Sequence, residues 1–382
     1  MSCHYTFIMN RYISDKICDD LKKKMVFITG PRQVGKTFLA KEISAKFSNP
    51  VYLNYDDQAD ASIIRKASWS RNAGIVVFDE VHKMKDWKQH IKGIYDTKYG
   101  NQAILVTGSA RLETFRKSGE SLAGRYFHLR LNPLSVRELF PLMKPYDAVD
   151  SLNRLGGFPE PFLSSSEDEA ARWRKQYYTD IVREDVHEFG RLHEIRAMRL
   201  LVEMLRVRVG SPISYTSLAE DLQISPNTVR HYVEILEALY VVFAVRPFHK
   251  NIARSLLKEP KLYFFDSGFV QGDEGARYEN TVAVSLLKHT NYLEDITGGD
   301  VSLHYLRTRD GREVDFAVSK NGQLETILEV KLSDTVPSRS LRFFKEIVPE
   351  ASAVQLVHNA RHQEEIDGIN IVNDDWLSEL SA

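Results

Sequence analysis

Cysteine is nearly absent: of 382 residues only Cys3 and Cys18 carry a thiol. Neither stands in a metal-ligand spacing and no disulfide framework can be drawn, which suits a reducing compartment. Long apolar runs are missing too. No stretch approaches the roughly 20 residues of a membrane-spanning helix, and MSCHYTFIMNRYISDK lacks the apolar core of a signal peptide. A soluble, cytoplasmic protein without a membrane partner is the expectation. An excess of either charge is also lacking, with 51 basic against 52 acidic residues and a net charge of −1. That excludes a global positive field, so any contact with nucleic acid must come from a local patch. What remains is ordinary globular usage, 43% apolar and 27% charged, in a chain long enough for two or three domains.

Residues 24 to 47, KMVFITGPRQVGKTFLAKEISAKF, run from an apolar strand through a glycine-bracketed loop into a helical pattern. The loop is G-x-x-x-x-G-K-[ST] in the strand–loop–helix context its chemistry requires. Gly30, Pro31, Arg32, Gln33, Val34 and Gly35 would wrap phosphates with backbone N–H groups, and the helix that follows points its positive end at them. Lys36 would reach the β- and γ-phosphates of ATP and Thr37 would hold Mg²⁺. A second strand, GIVVFDE at 74 to 80, ends in Asp79, placed to hold Mg²⁺ through its water shell, and Glu80, placed to orient and deprotonate the attacking water. A third, AILVTGS at 103 to 109, offers Ser109 between that water and the γ-phosphate, or simply ends in a turn. Arg125 in SLAGRYFHLRLNPLS is either an arginine finger for a neighbouring subunit's nucleotide or an exposed structural arginine.

GPRQVGKT, VVFDEVHKM, ILVTGSARL and SLAGRYFHLRLNPLSVREL, in this order, resemble the prokaryotic AAA-type ATPases of archaeal-ATPase kind, as does GGFPEP at 156 to 161. The resemblance implies ATP binding and hydrolysis with Mg²⁺, a homo-oligomer that can be a ring, and a poorly characterised C-terminal half.

The middle of the chain is helical in pattern from 167 to 209. SYTSLAEDLQISPNTVRHYVEILEALY then gives a short helix, a turn and a second helix whose Val229, Val233, Leu236 and Leu239 keep helical spacing. VVFAVRPF and KLYFFD follow as a two-stranded wing, so the segment resembles a winged helix-turn-helix. From Ser225 to Lys261 six Lys/Arg stand against three Glu, a surplus of three. Asn227, Thr228, Arg230 and His231 lie on the first turns of the second helix, where a major groove is read. Lys250 and Arg254 lie where a wing touches phosphate. DNA is the expected partner, and packing alone is the alternative use of such a module.

From about Asp273 the order is helix, three β-type runs, helix, strand, the core order of restriction-endonuclease-like folds. Asp315 in EVDF and Glu329 and Lys331 in LEVK would converge across the short SKNG turn, with Glu279 on the first helix. This resembles the PD-(D/E)xK superfamily and implies a second metal held by Glu279, Asp315 and Glu329, with Lys331 beside it. The alternative is a charged strand face on a solvated hairpin.

The fold expected is therefore α/β: a P-loop parallel sheet at 1–140, a helical and winged-helix region at 141–268, and a restriction-endonuclease-like α/β domain at 269–382. The expected function is a Mg²⁺-dependent ATPase coupled to DNA binding or remodelling. An ATP-gated DNA endonuclease and a nucleotide-switched regulator without cleavage are the alternatives.

Overall fold

The computed structural model describes residues 11–108, 122–181, 192–249 and 258–382. The chain divides into two units, Met1–Asn132 and Pro133–Ala382. Among the described residues no helix is long and apolar enough to cross a membrane.

The first unit is built on five strands: β1 Met25–Thr29, β2 Val51–Asn54, β3 Ile75–Asp79, β4 Ala103–Thr107 and β5 Tyr126–Arg130. Their order is β2-β3-β4-β1-β5, and every neighbouring pair is parallel. Parallel sheets are covered on both faces and so read as unbroken apolar runs. MVFIT, IVVFD and AILVT are such runs, buried at every position. Met25, Phe27, Val76, Phe78, Ile104 and Val106 pack with Trp87, Ile91 and Ile94 of the helix Trp87–Thr97. Burial of each such side chain contributes about 1.5–3 kcal/mol. The P-loop α/β fold expected of the N-terminal part is the one observed.

Register sets the site. β4 stands between β3 and β1, with Thr107 opposite Asp79 on one side and Ile28 on the other. Asn54 lies opposite Asp79 on β2. The strands therefore end level at their carboxyl ends, the edge where open α/β sheets bind ligands.

In the second unit the GGFPEP segment links the helices Pro145–Leu155 and Pro159–Ser164, each started by a proline, which has no N–H to leave unpaired there. Gly156 joins them at φ +81°, and a Cβ on it would lie 1.9 Å from Asp266 Oδ1. Asp266 is fully buried and accepts from Arg174 Nε at 2.9 Å. Burial raises the Asp266 pKa, and the Arg174 guanidinium opposes that rise. Gly156 is thus fixed by a buried ion pair whose rupture costs roughly 3–5 kcal/mol.

Ser225 caps the helix Pro226–Ala238 by accepting from Thr228 N–H, and Tyr215–Leu222 precedes it. The strands β6 Val242–Pro247 and β7 Lys261–Phe264 pair antiparallel after it. These are the helices and hairpin the sequence pattern indicates, but the hairpin is not free-standing. β6 also pairs parallel with β8 Val301–Arg307. An eight-stranded sheet results once β9 Glu313–Lys320, β10 Gln323–Lys331, β11 Ser352–Val357, β12 Glu364–Ile366 and β13 Ile369–Val372 are added, in the order β12-β13-β11-β10-β9-β8-β6-β7. Asn321 and Gly322, both at positive φ, turn β9 into β10, as an Asn-Gly pair in a two-residue hairpin loop does. The helix Glu274–Thr297, capped by Asp273, leads into β8.

Gly156→Ala adds a Cβ into Asp266 at a left-handed φ, so it should lower stability by about 2–4 kcal/mol. Gly93→Ala is the control. It sits in the helix Trp87–Thr97 with nothing within 4 Å of the new methyl, and it should stabilise by up to about 1 kcal/mol. Urea unfolding midpoints check both, and equal midpoints would remove Asp266 as the cause.

Candidate nucleotide site

The loop between β1 and the helix Lys36–Ser44 is held from behind. Gly30 sits at φ +149°, and a Cβ there would lie 2.2 Å from the Leu131 carbonyl oxygen. Arg11, 5% exposed, donates from Nη1 to the Val34 carbonyl at 2.8 Å and from Nη2 to the Asn132 carbonyl at 2.6 Å. A buried guanidinium thus fixes a loop carbonyl on the outer side of the turn. Lys36 is 7% exposed and donates to the carbonyls of Gly30, at 3.0 Å, and Pro31. Burial pulls its pKa down to about 8, against the opposing pull of Glu80 and Asp79.

Asp79, 3% exposed, is the centre of the site. Thr37 Oγ1 donates to its Oδ2 at 2.8 Å, the Tyr52 hydroxyl donates to the same oxygen, and Thr107 Oγ1 donates to Oδ1. Burial first, and then Asp79, push the Tyr52 phenol above its ordinary range, so it stays a donor. The Lys41 ammonium lies 4.8 Å from the Tyr52 ring centroid. Glu80 follows at φ +56°, a left-handed turn that carries it off the strand end. Burial raises its pKa, while Lys83, 3.8 Å away, opposes. Thr37 and Asp79 are thus in contact, and the donor set of a hydroxyl and a carboxylate fits a Mg²⁺ ion with its waters.

Three contributors escape the motifs. Tyr52 carries no signature beyond a polar position on a short strand. Thr107 ends the run ILVT with no motif of its own, and Ser109, two residues on, lies outside the described residues. Arg11 precedes the first helix without any pattern. Arg125 is placed just before β5, where its Nε and Nη2 grip Asp96 Oδ1 and Oδ2 at 2.7 and 3.1 Å. The guanidinium is therefore engaged within its own unit.

In the second unit Asn227, Arg230 and His231 are exposed on the first turns of Pro226–Ala238, while Thr228 Oγ1 pairs with Ser225 Oγ at 2.8 Å. Arg230 lies over Tyr215, 5.5 Å from the ring centroid, in a groove that Arg246 and Lys258 line together with Glu234 and Glu259. Lys250 and Arg254 lie outside the described residues. Lys261, counted in the local basic surplus, is 1% exposed and faces acids.

Two of the acids it faces, Glu279 and Asp315, are among the three expected to hold a second metal, and Glu329 is the third. Glu329 is 6% exposed, because the second half of β10 is covered on both faces, so a solvated charged face does not describe it. Lys331 Nζ donates to Glu329 Oε1 at 2.8 Å, Val330 N–H to Asp315 Oδ2 at 2.9 Å, and Tyr263 O–H to Glu279 Oε1 at 2.7 Å. Among the described residues no group of three His, Cys, Asp or Glu has the arrangement of a metal centre.

Residues 22–140 match the family model described as an AAA domain, while 147–272 and 274–374 match two domains of unknown function. With the geometry above, the first unit carries an ATPase-like P-loop domain of AAA type. An uncharacterized protein of Mycobacterium tuberculosis is 28% identical over 327 residues, covering 83% of this chain and 73% of the relative. An uncharacterized protein of Methanocaldococcus jannaschii is 24% identical over 379 residues, covering 90% and 82%. Among solved structures, a Walker-type ATPase of Pyrococcus abyssi aligns at a TM-score of 0.43 and 15% identity, covering 67% of this chain and 93% of that one.

Lys36 gives a pH test. Its pKa is about 8 in the nucleotide-free protein, and phosphate beside the ammonium raises it. Below pH 8 both states are protonated and affinity for nucleotide should be flat. Above pH 8 binding must take up a proton, so affinity should fall by up to about tenfold per pH unit. Titration with a fluorescent ATP analogue from pH 7 to 10 measures this. A profile that stays flat in this range, or that keeps its slope in Lys36→Ala, would remove Lys36 as the titrating group.

Proposed function

We propose that this chain is a Mg²⁺-dependent ATPase that couples nucleotide turnover to work on DNA. The observation that carries the first half is the Asp79 carboxylate, level with Thr37 and followed by Glu80. Lys36 and the loop N–H groups hold the triphosphate. Thr37 and Asp79 hold the metal, which supplies charge neutralisation on the phosphates when bound. Glu80, partly buried with its proton affinity raised, accepts a proton from the attacking water. With a metal bound, Thr37 would supply its hydroxyl to it, and Tyr52 and Thr107 would keep Asp79 aimed.

Support for DNA is the exposed start of Pro226–Ala238, with Asn227, Arg230 and His231 as groove-facing groups and Arg246 and Lys258 beside Arg230. Read as a winged helix, that module would contact bases through the helix and phosphates through its flanks. A homo-oligomer completes the proposal. Arg125 would then exchange Asp96 for a neighbour's nucleotide only on assembly. The runner-up is a nucleotide-switched regulator, favoured by the Arg125–Asp96 pair, which keeps the finger candidate at home.

Glu80→Gln should bind ATP as the unaltered protein does and lose turnover by about 10²–10⁴-fold. Phosphate release and nucleotide binding measured side by side check it, and full turnover would take Glu80 out of the base role. Tyr52→Phe removes one hydrogen bond to a carboxylate. It should raise the half-saturating Mg²⁺ concentration about tenfold with little change in turnover at saturation. An unchanged Mg²⁺ requirement would leave Tyr52 a packing residue. Arg230→Ala should weaken duplex binding and flatten its salt dependence by about one unit of slope. Identical salt curves would place DNA elsewhere on the chain or nowhere.

A further inference from the structure

Lys261 begins β7, at the edge of the eight-stranded sheet, yet its ammonium reaches acids on β9, two strands beyond its neighbour β6. Nζ lies 2.8 Å from Glu313 Oε1, 3.6 Å from Asp315 Oδ1 and 3.7 Å from Glu279 Oε1. The ring of Tyr305 on β8 is 5.5 Å away. Burial pulls the pKa of this lysine down, but Glu279, Asp315 and Glu313 together hold it above the ordinary range. The Glu279 and Glu329 pKa values are raised too, first by burial and then by the Asp315 charge.

A divalent ion needs about six oxygens in near-regular array. Here Asp315 Oδ2, Glu279 Oε1 and Glu329 Oε1 already accept hydrogen bonds, and Lys261 faces Glu279 and Asp315. Glu329 Oε2 is the one oxygen of these acids that is buried without a hydrogen-bond partner. Charge is nearly balanced as well. Four carboxylates (Glu279, Glu313, Asp315, Glu329) meet three cations: Lys261, Lys331 and Arg307, the last at 3.2 Å from Glu313 Oε2. Burial and the Asp315 charge favour the protonated forms of Glu279 and Glu329, so the cluster holds little uncompensated negative charge for a dication.

We infer that Lys261 is the resident cation of this acidic cluster, holding the place that a divalent metal takes in nuclease-like sites of this outline. The cluster is then a charge lock joining the helix Glu274–Thr297, β7 and β9, and it works without metal.

Nucleotide-free full-length protein, titrated with Mn²⁺ and followed by electron paramagnetic resonance and by thermal unfolding, tests this. The unaltered protein should show no saturable Mn²⁺ site that depends on Asp315, and millimolar Mn²⁺ should leave the midpoint of the Asp79→Asn protein where it was. Lys261→Met, which keeps most of the unbranched stem and removes the charge, should gain a Mn²⁺ site, and a second change, Asp315→Asn, should abolish it. Two results would overturn the inference. One is Mn²⁺ binding by the unaltered lysine-bearing protein that survives Asp79→Asn but not Asp315→Asn. The other is a folded Lys261→Met protein that gains nothing. Where Lys261→Met does not fold, the first comparison decides alone.

Discussion

A carboxylate taken out of water must find donors, and Asp79 finds three. Its side chain sits at the carboxyl end of β3, and the hydroxyls that satisfy it come from three directions: Thr37 on the loop helix, Tyr52 on β2 and Thr107 on β4. An isolated buried carboxylate is costly enough to protonate or to distort its surroundings. The three hydroxyls offset that cost and fix the carboxylate's direction. They also tie β2, β3, β4 and the phosphate loop to one point. The parallel register that brings Thr107 level with Asp79 is therefore a requirement of the site as much as of the sheet.

The second unit repeats the constraint with cations. Arg174 meets Asp266 beneath Gly156, Lys288 meets Glu138, and Lys261 meets three acids, each lysine at most 1% exposed and Arg174 8% exposed. Breaking such a pair leaves an uncompensated buried charge, whereas the intact pair adds little net stability over an apolar substitute. These pairs therefore specify geometry. Arg174 and Asp266 leave room only for glycine at 156, and Lys261 ties the edge hairpin to the strands at the sheet's centre. The parallel pairing of β6 with β8 has the same effect through the backbone.

Much of the nucleotide site was legible because its chemistry is local. The loop from Gly30 to Thr37 is one continuous stretch, and Asp79–Glu80 end a run whose apolar character announces a buried parallel strand. The Asn321–Gly322 turn was readable for the same reason, since φ above zero at two successive positions has few solutions. Tyr52, Thr107 and Arg11 were not legible, because their roles come from register and from contacts 27, 28 and 23 residues away in sequence. Lys261 shows the limit most clearly. By sequence it belongs to a basic, DNA-facing wing, and only the sheet order reveals that it points at Glu313. The burial of Glu329 was hidden likewise, since alternation in β10 holds for its first half and then gives way to cover on both faces.

The central claim is that the loop, Thr37 and Asp79 form one site that rearranges around Mg²⁺ and a triphosphate. A crystal structure with Mg²⁺ and a non-hydrolysable ATP analogue tests it most directly. Lys36 Nζ should leave the carbonyls of Gly30 and Pro31 for the β- and γ-phosphates. Thr37 should leave Asp79 for the metal, with Tyr52 and Thr107 still donating to the carboxylate. Nucleotide found in the loop with Lys36 still on those two carbonyls and Thr37 still on Asp79, or found elsewhere on the chain, would contradict the account.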